Sequence, residues 1–120
     1  MVMTAKEVYG SLAQHFKPYH DAYDNFILRL NEEGFEASIT CYMAPIQIEG
    51  RLPSKEKFIL HSRHSTCCLS IASKDDDPIM NPIWEYVEDK GWGMEEAGCL
   101  SAQEIEPIFR EMLSKYRNGE

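Results

Sequence analysis

Apolar residues along the first thirty positions recur at the three- and four-residue spacing of an amphipathic helix. Val8, Leu12 and Phe16 form one stripe, and Tyr19, Tyr23, Phe26, Ile27 and Leu30 form a second. Thr4 and Glu7 have the spacing of a capping box, which opens the helix. Pro18 has no N–H to donate and its ring clashes with the preceding turn, so a break or kink is expected near Lys17. Gly34 is the expected stop.

Beyond Gly34 the period changes to two. Phe35, Ala37, Ile39, Cys41 and Met43 alternate with polar positions, which predicts a half-buried strand. Pro45 interrupts it, and Ile46, Ile48 and Leu52 alternate in a second strand. After the turn chemistry of Pro53-Ser54-Lys55, residues 58–71 alternate on both sides of His64-Ser65 and predict a hairpin. In that register Ser62 faces Cys67, Leu60 faces Leu69 and Phe58 faces Ile71. Strands in direct succession with short links form an antiparallel meander.

The polar loop 74–78 closes the sheet section. Asn81-Pro82 has the chemistry of a cap followed by a first helical position, and Ile83, Tyr86 and Val87 lie at helical spacing. A short helix ended by Gly91 is therefore expected. Residues 92–98 read as a loop. Ser101 and Glu104 form a second capping box ahead of Ile105, Ile108, Phe109, Met112, Leu113 and Tyr116, with a kink expected at Pro107.

Together these elements predict a single α+β domain over residues 1–120. It is a four-stranded antiparallel meander with N-terminal and C-terminal helices packed on one face. The covered face would carry Ala37, Ile39, Cys41, Ile46, Ile48, Phe58, Leu60, Leu69 and Ile71. The other would show Thr40, Tyr42, Gln47, Glu49, Arg51, Ile59, His61, Arg63, Thr66 and Cys68.

Composition narrows the setting. No apolar run approaches the roughly 20 residues needed to span a bilayer, and the first residues lack a basic segment followed by an apolar stretch. A cytoplasmic protein without membrane contact is expected. Four cysteines without a C-x-x-C spacing suit free thiols. Charge is segregated. Residues 1–74 hold eight acids and eight bases, residues 75–106 hold ten acids and one base, and residues 107–120 return +1, for a total of −8. Such a balance argues against nucleic acid as a partner and favours a basic protein, or solubility alone.

Candidate chemistry is sparse. His61, His64, Cys67 and Cys68 have zinc-compatible donors, but strand alternation sends Cys67 to the covered face and leaves only His61 and Cys68 converging. No metal site and no cofactor are expected. A thiol paired with an imidazole on an open sheet lacks an orienting group and an oxyanion hole, so no catalytic residue is assigned. Arg51, Arg63 and His61 belong to the one basic concentration in the chain. Trp84 and Trp92 flank the acidic run 85–89 and suit interface anchors. The expected function is a small acidic, non-enzymatic protein-binding module of the adaptor, chaperone or inhibitor kind, with Arg51, His61, Arg63, Cys68, Trp84 and Trp92 as its binding residues. Self-association as a homodimer through the open sheet face or edge is a further expectation. The alternative is a small-ligand, metal or thiol-dependent protein with its site around His61, Arg63 and Cys68.

Overall fold

Helix α1 (Ala5–Glu32) leads into five strands, β1 (Glu36–Tyr42), β2 (Ile46–Arg51), β3 (Lys57–Arg63), β4 (Thr66–Ala72) and β5 (Trp84–Glu88). A 3-10 turn at Ala97–Cys99 and helix α2 (Ala102–Arg117) follow. This computed structural model describes the backbone of residues 5–120 and the side chains of residues 16–120. The capping box at Thr4 and Glu7 and the stripe residues Val8 and Leu12 lie outside the described side chains.

Helix α1 runs unbroken through Pro18, so the expected break does not occur. A proline removes one i→i−4 hydrogen bond and a bend relieves its ring clash, which does not end a helix with helix-forming residues on both sides. The stop is where Gly34 places it. Gly34 has φ +101°, its N–H bonds the Asn31 carbonyl at 3.1 Å, and the Phe35 N–H reaches back to Leu30 at 3.1 Å. This is a Schellman closure, and Leu30 and Phe35 both enter the core. Helix α2 likewise runs through Pro107 without a break. Its first turn is fixed by the capping box, with the Glu104 N–H on Ser101 Oγ and the Ser101 N–H on Glu104 Oε1, and only one ladder bond is forgone at the proline.

The sheet is a five-stranded antiparallel meander in the order β1-β2-β3-β4-β5. The fifth strand replaces the expected helix at 82–90. Trp84, Tyr86 and Val87 are aromatic or β-branched, a helix of little more than two turns has few bonds to hold itself, and β4 offers residues 67–71 for pairing. The β3–β4 hairpin has the expected register, with Phe58 opposite Ile71, Leu60 opposite Leu69 and Ser62 opposite Cys67.

Both helices pack on one face. Tyr23, Phe26 and Leu30 of α1 and Ile105, Phe109 and Met112 of α2 bury against Ile46, Ile48, Phe58, Leu60, Leu69 and Ile71. Phe109 is the hub, with ring centroids 5.6 Å from Phe58, 6.0 Å from Phe35 and 6.1 Å from Phe26. Arg110 of α2 ties the helices together, forking onto Glu33 at 2.7 and 2.9 Å and onto Glu106 at 3.0 Å, while Arg29 meets Glu106 at 2.6 Å.

A bulge between Ile39 and Cys41 changes the facing of β1. Beyond it Cys41 pairs with Gln47 on the outer face, and Tyr42 pairs with Ile46 on the inner one, the reverse of the strict alternation expected. Tyr42 then packs on the core and its ring lies 4.3 Å from that of His20.

Candidate functional site

The sheet face turned away from the helices divides into cross-strand rows. One row runs Cys41, Gln47, His61, Cys68 and Val87 across all five strands. It carries no carboxylate, lysine or arginine, and its side chains are half-buried apart from the exposed Val87. The next row, Ser38, Glu49, Ile59, Ser70 and Glu85, is covered at its middle, where Ile59 and Ser70 are buried, and exposed at Ser38 and Glu85. The covering element is the β4–β5 loop. Residues 75–79 stand across a cleft of about 560 Å³ from Glu49, Arg51, Lys57 and Ile59. One end of the face therefore lies under a loop, and the other end is open.

The residues singled out from the sequence fall into three places. His61, Arg63 and Cys68 come together at the open end, with His61 directly opposite Cys68 and Arg63 beside the turn. Arg51 stands at the covered end and serves as a tie, donating to the carbonyls of Lys55 at 3.2 Å and Lys74 at 2.9 Å. Trp84 and Trp92 lie on the other side of the sheet. Trp84 is half-buried against Tyr86, with rings 5.9 Å apart and 12° from parallel, and against Tyr116 of α2. Trp92 packs on the core and lines a groove of about 350 Å³ with Leu100, Pro107 and Ile108 under Glu104 and Glu111.

The segment that carries Trp92 is fastened to the hairpin tips. The Ala97 N–H bonds the His64 carbonyl at 3.0 Å, and the Ala44 N–H bonds the Gly98 carbonyl at 2.8 Å. Ser62, polar on the inner face, donates to the Ala97 carbonyl at 2.6 Å and is thereby satisfied. His64 Nδ1 stands 2.8 Å from Glu95 at the rim of the same contact.

Electrostatics at the open end favour neutral, unreactive groups. Burial, together with Arg63 and His64 nearby, lowers the pKa of His61. Burial raises the thiol pKa of Cys68, whose sulfur lies 3.7 Å from Ser70 Oγ, and pushes that of Cys67 up to about 12. A nucleophilic cysteine requires the opposite shift, toward thiolate. Among the described residues, no group of three or more His, Cys, Asp or Glu side chains converges as a metal site requires. Among the same residues, no helix is long and apolar enough to cross a membrane.

One exposed apolar segment has no counterpart among the residues singled out from the sequence. Ile79, Met80, Ile83 and Val87 are 67%, 75%, 60% and 56% exposed, all within the β4–β5 loop and β5. The available signal was the β-branched and aromatic content of Trp84-Glu85-Tyr86-Val87-Glu88, which suits a strand although its apolar spacing also fits a helix. Comparison with protein-family models, curated proteins and solved structures gives no match.

Proposed function

We propose that this chain is a non-enzymatic protein-binding module that meets its partner with the open end of its outer sheet face and the flank formed by β5. The observation that carries this function is the run of four large apolar side chains, each more than half exposed, between residues 79 and 87. Single exposed apolar residues are ordinary, whereas several within one short segment are typical of contact surfaces. The adjoining row from Cys41 to Val87 is free of charged side chains, so a partner can cover it without stranding a buried charge. The surrounding segment 75–106, net −9, supports a basic partner.

The test is capture from an extract of the cells that make the protein, comparing the native chain with an Ile83→Ser, Val87→Thr double variant. Threonine keeps strand propensity while removing apolar contact. The expected result is a partner held by the native chain, released as salt rises, and lost by a double variant whose circular dichroism is unchanged. Equal capture by both proteins, or none by either, would sink the idea.

A further inference from the structure

The two edges of the sheet are finished differently, and the difference specifies how a partner joins. At the β1 edge, the side-chain amide of Asn31 bonds both the N–H and the C=O of Ala37, at 2.7 and 3.1 Å, and so takes the place of a neighbouring strand. The bulge after Ile39 further disrupts that edge. At the β5 edge, no side chain among the described residues bonds the backbone of residues 84–88. Its outward N–H and C=O groups form a template about 17 Å long.

Charge decides what the template accepts. Glu85 and Glu88 lie in β5 and Asp89 follows it, with Lys90 held by Glu88 at 2.9 Å. A second copy of β5 would bring the same three acids against these, which is destabilising. An extended strand carrying lysine or arginine meets them with opposite charge. Side chains alternate, so the added strand presents one basic and one apolar group to Glu85 and Val87 on the outer face. On the inner face it meets Trp84 and Tyr86, which α2 supports through Tyr116 and through Lys115, 5.4 Å from the Tyr86 ring.

Resting on the binding-module function proposed above, we infer that β5 receives an extended basic segment of a protein partner as a sixth strand of the sheet. The probe is the labelled peptide Ser-Lys-Val-Thr-Lys-Val-Ser, whose pattern places lysines beside Glu85 and Glu88. Two controls accompany it, one with both lysines replaced by glutamate and one with alternate backbone nitrogens methylated. Fluorescence anisotropy reads binding, and hydrogen exchange reads where it occurs. The expected result is saturable binding that weakens with salt and slows exchange of β5 amides by roughly tenfold or more, with both control peptides bound much more weakly.

Equal binding of the methylated peptide, protection confined to other strands, or no saturable binding would each overturn strand addition. So would a dimer of the free protein with its β5 amides already protected, since the edge would then belong to a second copy. Failure of the peptide while the partner is still captured through Ile83 and Val87 removes only the mode of joining. Failure of both removes the module itself.

Discussion

Strands β1 and β5 are the two ends of one sheet, yet they are guarded by different means. Strand β1 is closed by its own chain. Helix α1 runs beside it, Asn31 takes the Ala37 backbone groups, and a bulge bends the strand. Strand β5 is short and acidic, and among the described residues no side chain bonds its edge backbone. Covering an edge stops every kind of pairing, whereas charging it stops only pairing with strands of like sign. The difference separates an edge that is finished from one that is selective.

The largest expected effect lies on the closed side. Gly50 pairs with Ala37 at φ +154°, and a Cβ placed there would stand 1.7 Å from the Glu36 carbonyl oxygen. Gly50→Ala must push β1 away from β2, at a cost of about 3 kcal/mol. Urea denaturation checks this, and an unchanged midpoint would show that β1 does not depend on that close approach. Asn31→Ala comes next. Losing the two bonds to Ala37 should cost about 1 kcal/mol, speed exchange of the Ala37 amide and raise self-association at high concentration. If sedimentation shows no such rise, the Asn31 clasp is not what keeps this edge closed.

The sequence foretold some of these features and was silent on others for physical reasons. The β3–β4 hairpin was legible because both arms alternate strictly and the tip is two residues long, so the facing of His61 and Cys68 followed directly. The strand at Trp84–Glu88 was not, because Ile83, Tyr86 and Val87 satisfy a helical stripe as well as a strand. Only the neighbouring β4 decides between them. The bulge that turns Cys41 outward and Tyr42 inward leaves no composition signal, since it arises from pairing with β2. Trp84 and Trp92 stand out in the sequence because they flank the acidic run 85–89, but alternation and the loop after Glu88 place both on the side of α2, away from His61. Asn31 looked like any polar residue near a helix end.

The two edges are also joined from behind, α1 beside β1 and α2 behind β5, by the Arg110 clamp. The hydrogen bond from Arg110 outweighs burial and lowers the pKa of Glu33 from its ordinary 4.5. Burial of Glu106 acts to raise its pKa, but the bonds from Arg29 and Arg110 prevail and lower it. Carboxylates with lowered pKa stabilise the fold above their unfolded value and lose that contribution as pH falls through the folded one. Arg110→Met should therefore cost about 0.5 kcal/mol at neutral pH after solvent screening. The gap between native and variant protein should close as pH drops below 4.5. A gap that stays constant from neutral to acid pH would mean that Arg110 acts through packing alone.

The smallest effect distinguishes the edges without touching stability. Cys41 on β1 and Cys68 on β4 lie in one row of the outer face, near opposite ends, and both are half-buried. Cys99 is exposed and Cys67 is buried. A thiol reagent should label Cys99 first, Cys41 and Cys68 more slowly, and Cys67 only after unfolding, because burial restricts access. Bound to β5, the basic peptide extends the outer face past Val87, the neighbour of Cys68. Labelling of Cys68 should then slow while that of Cys41 is unchanged. Equal slowing at both would place the peptide across the whole face instead of along the edge, and β5 would lose its claim to be the selective side of the sheet.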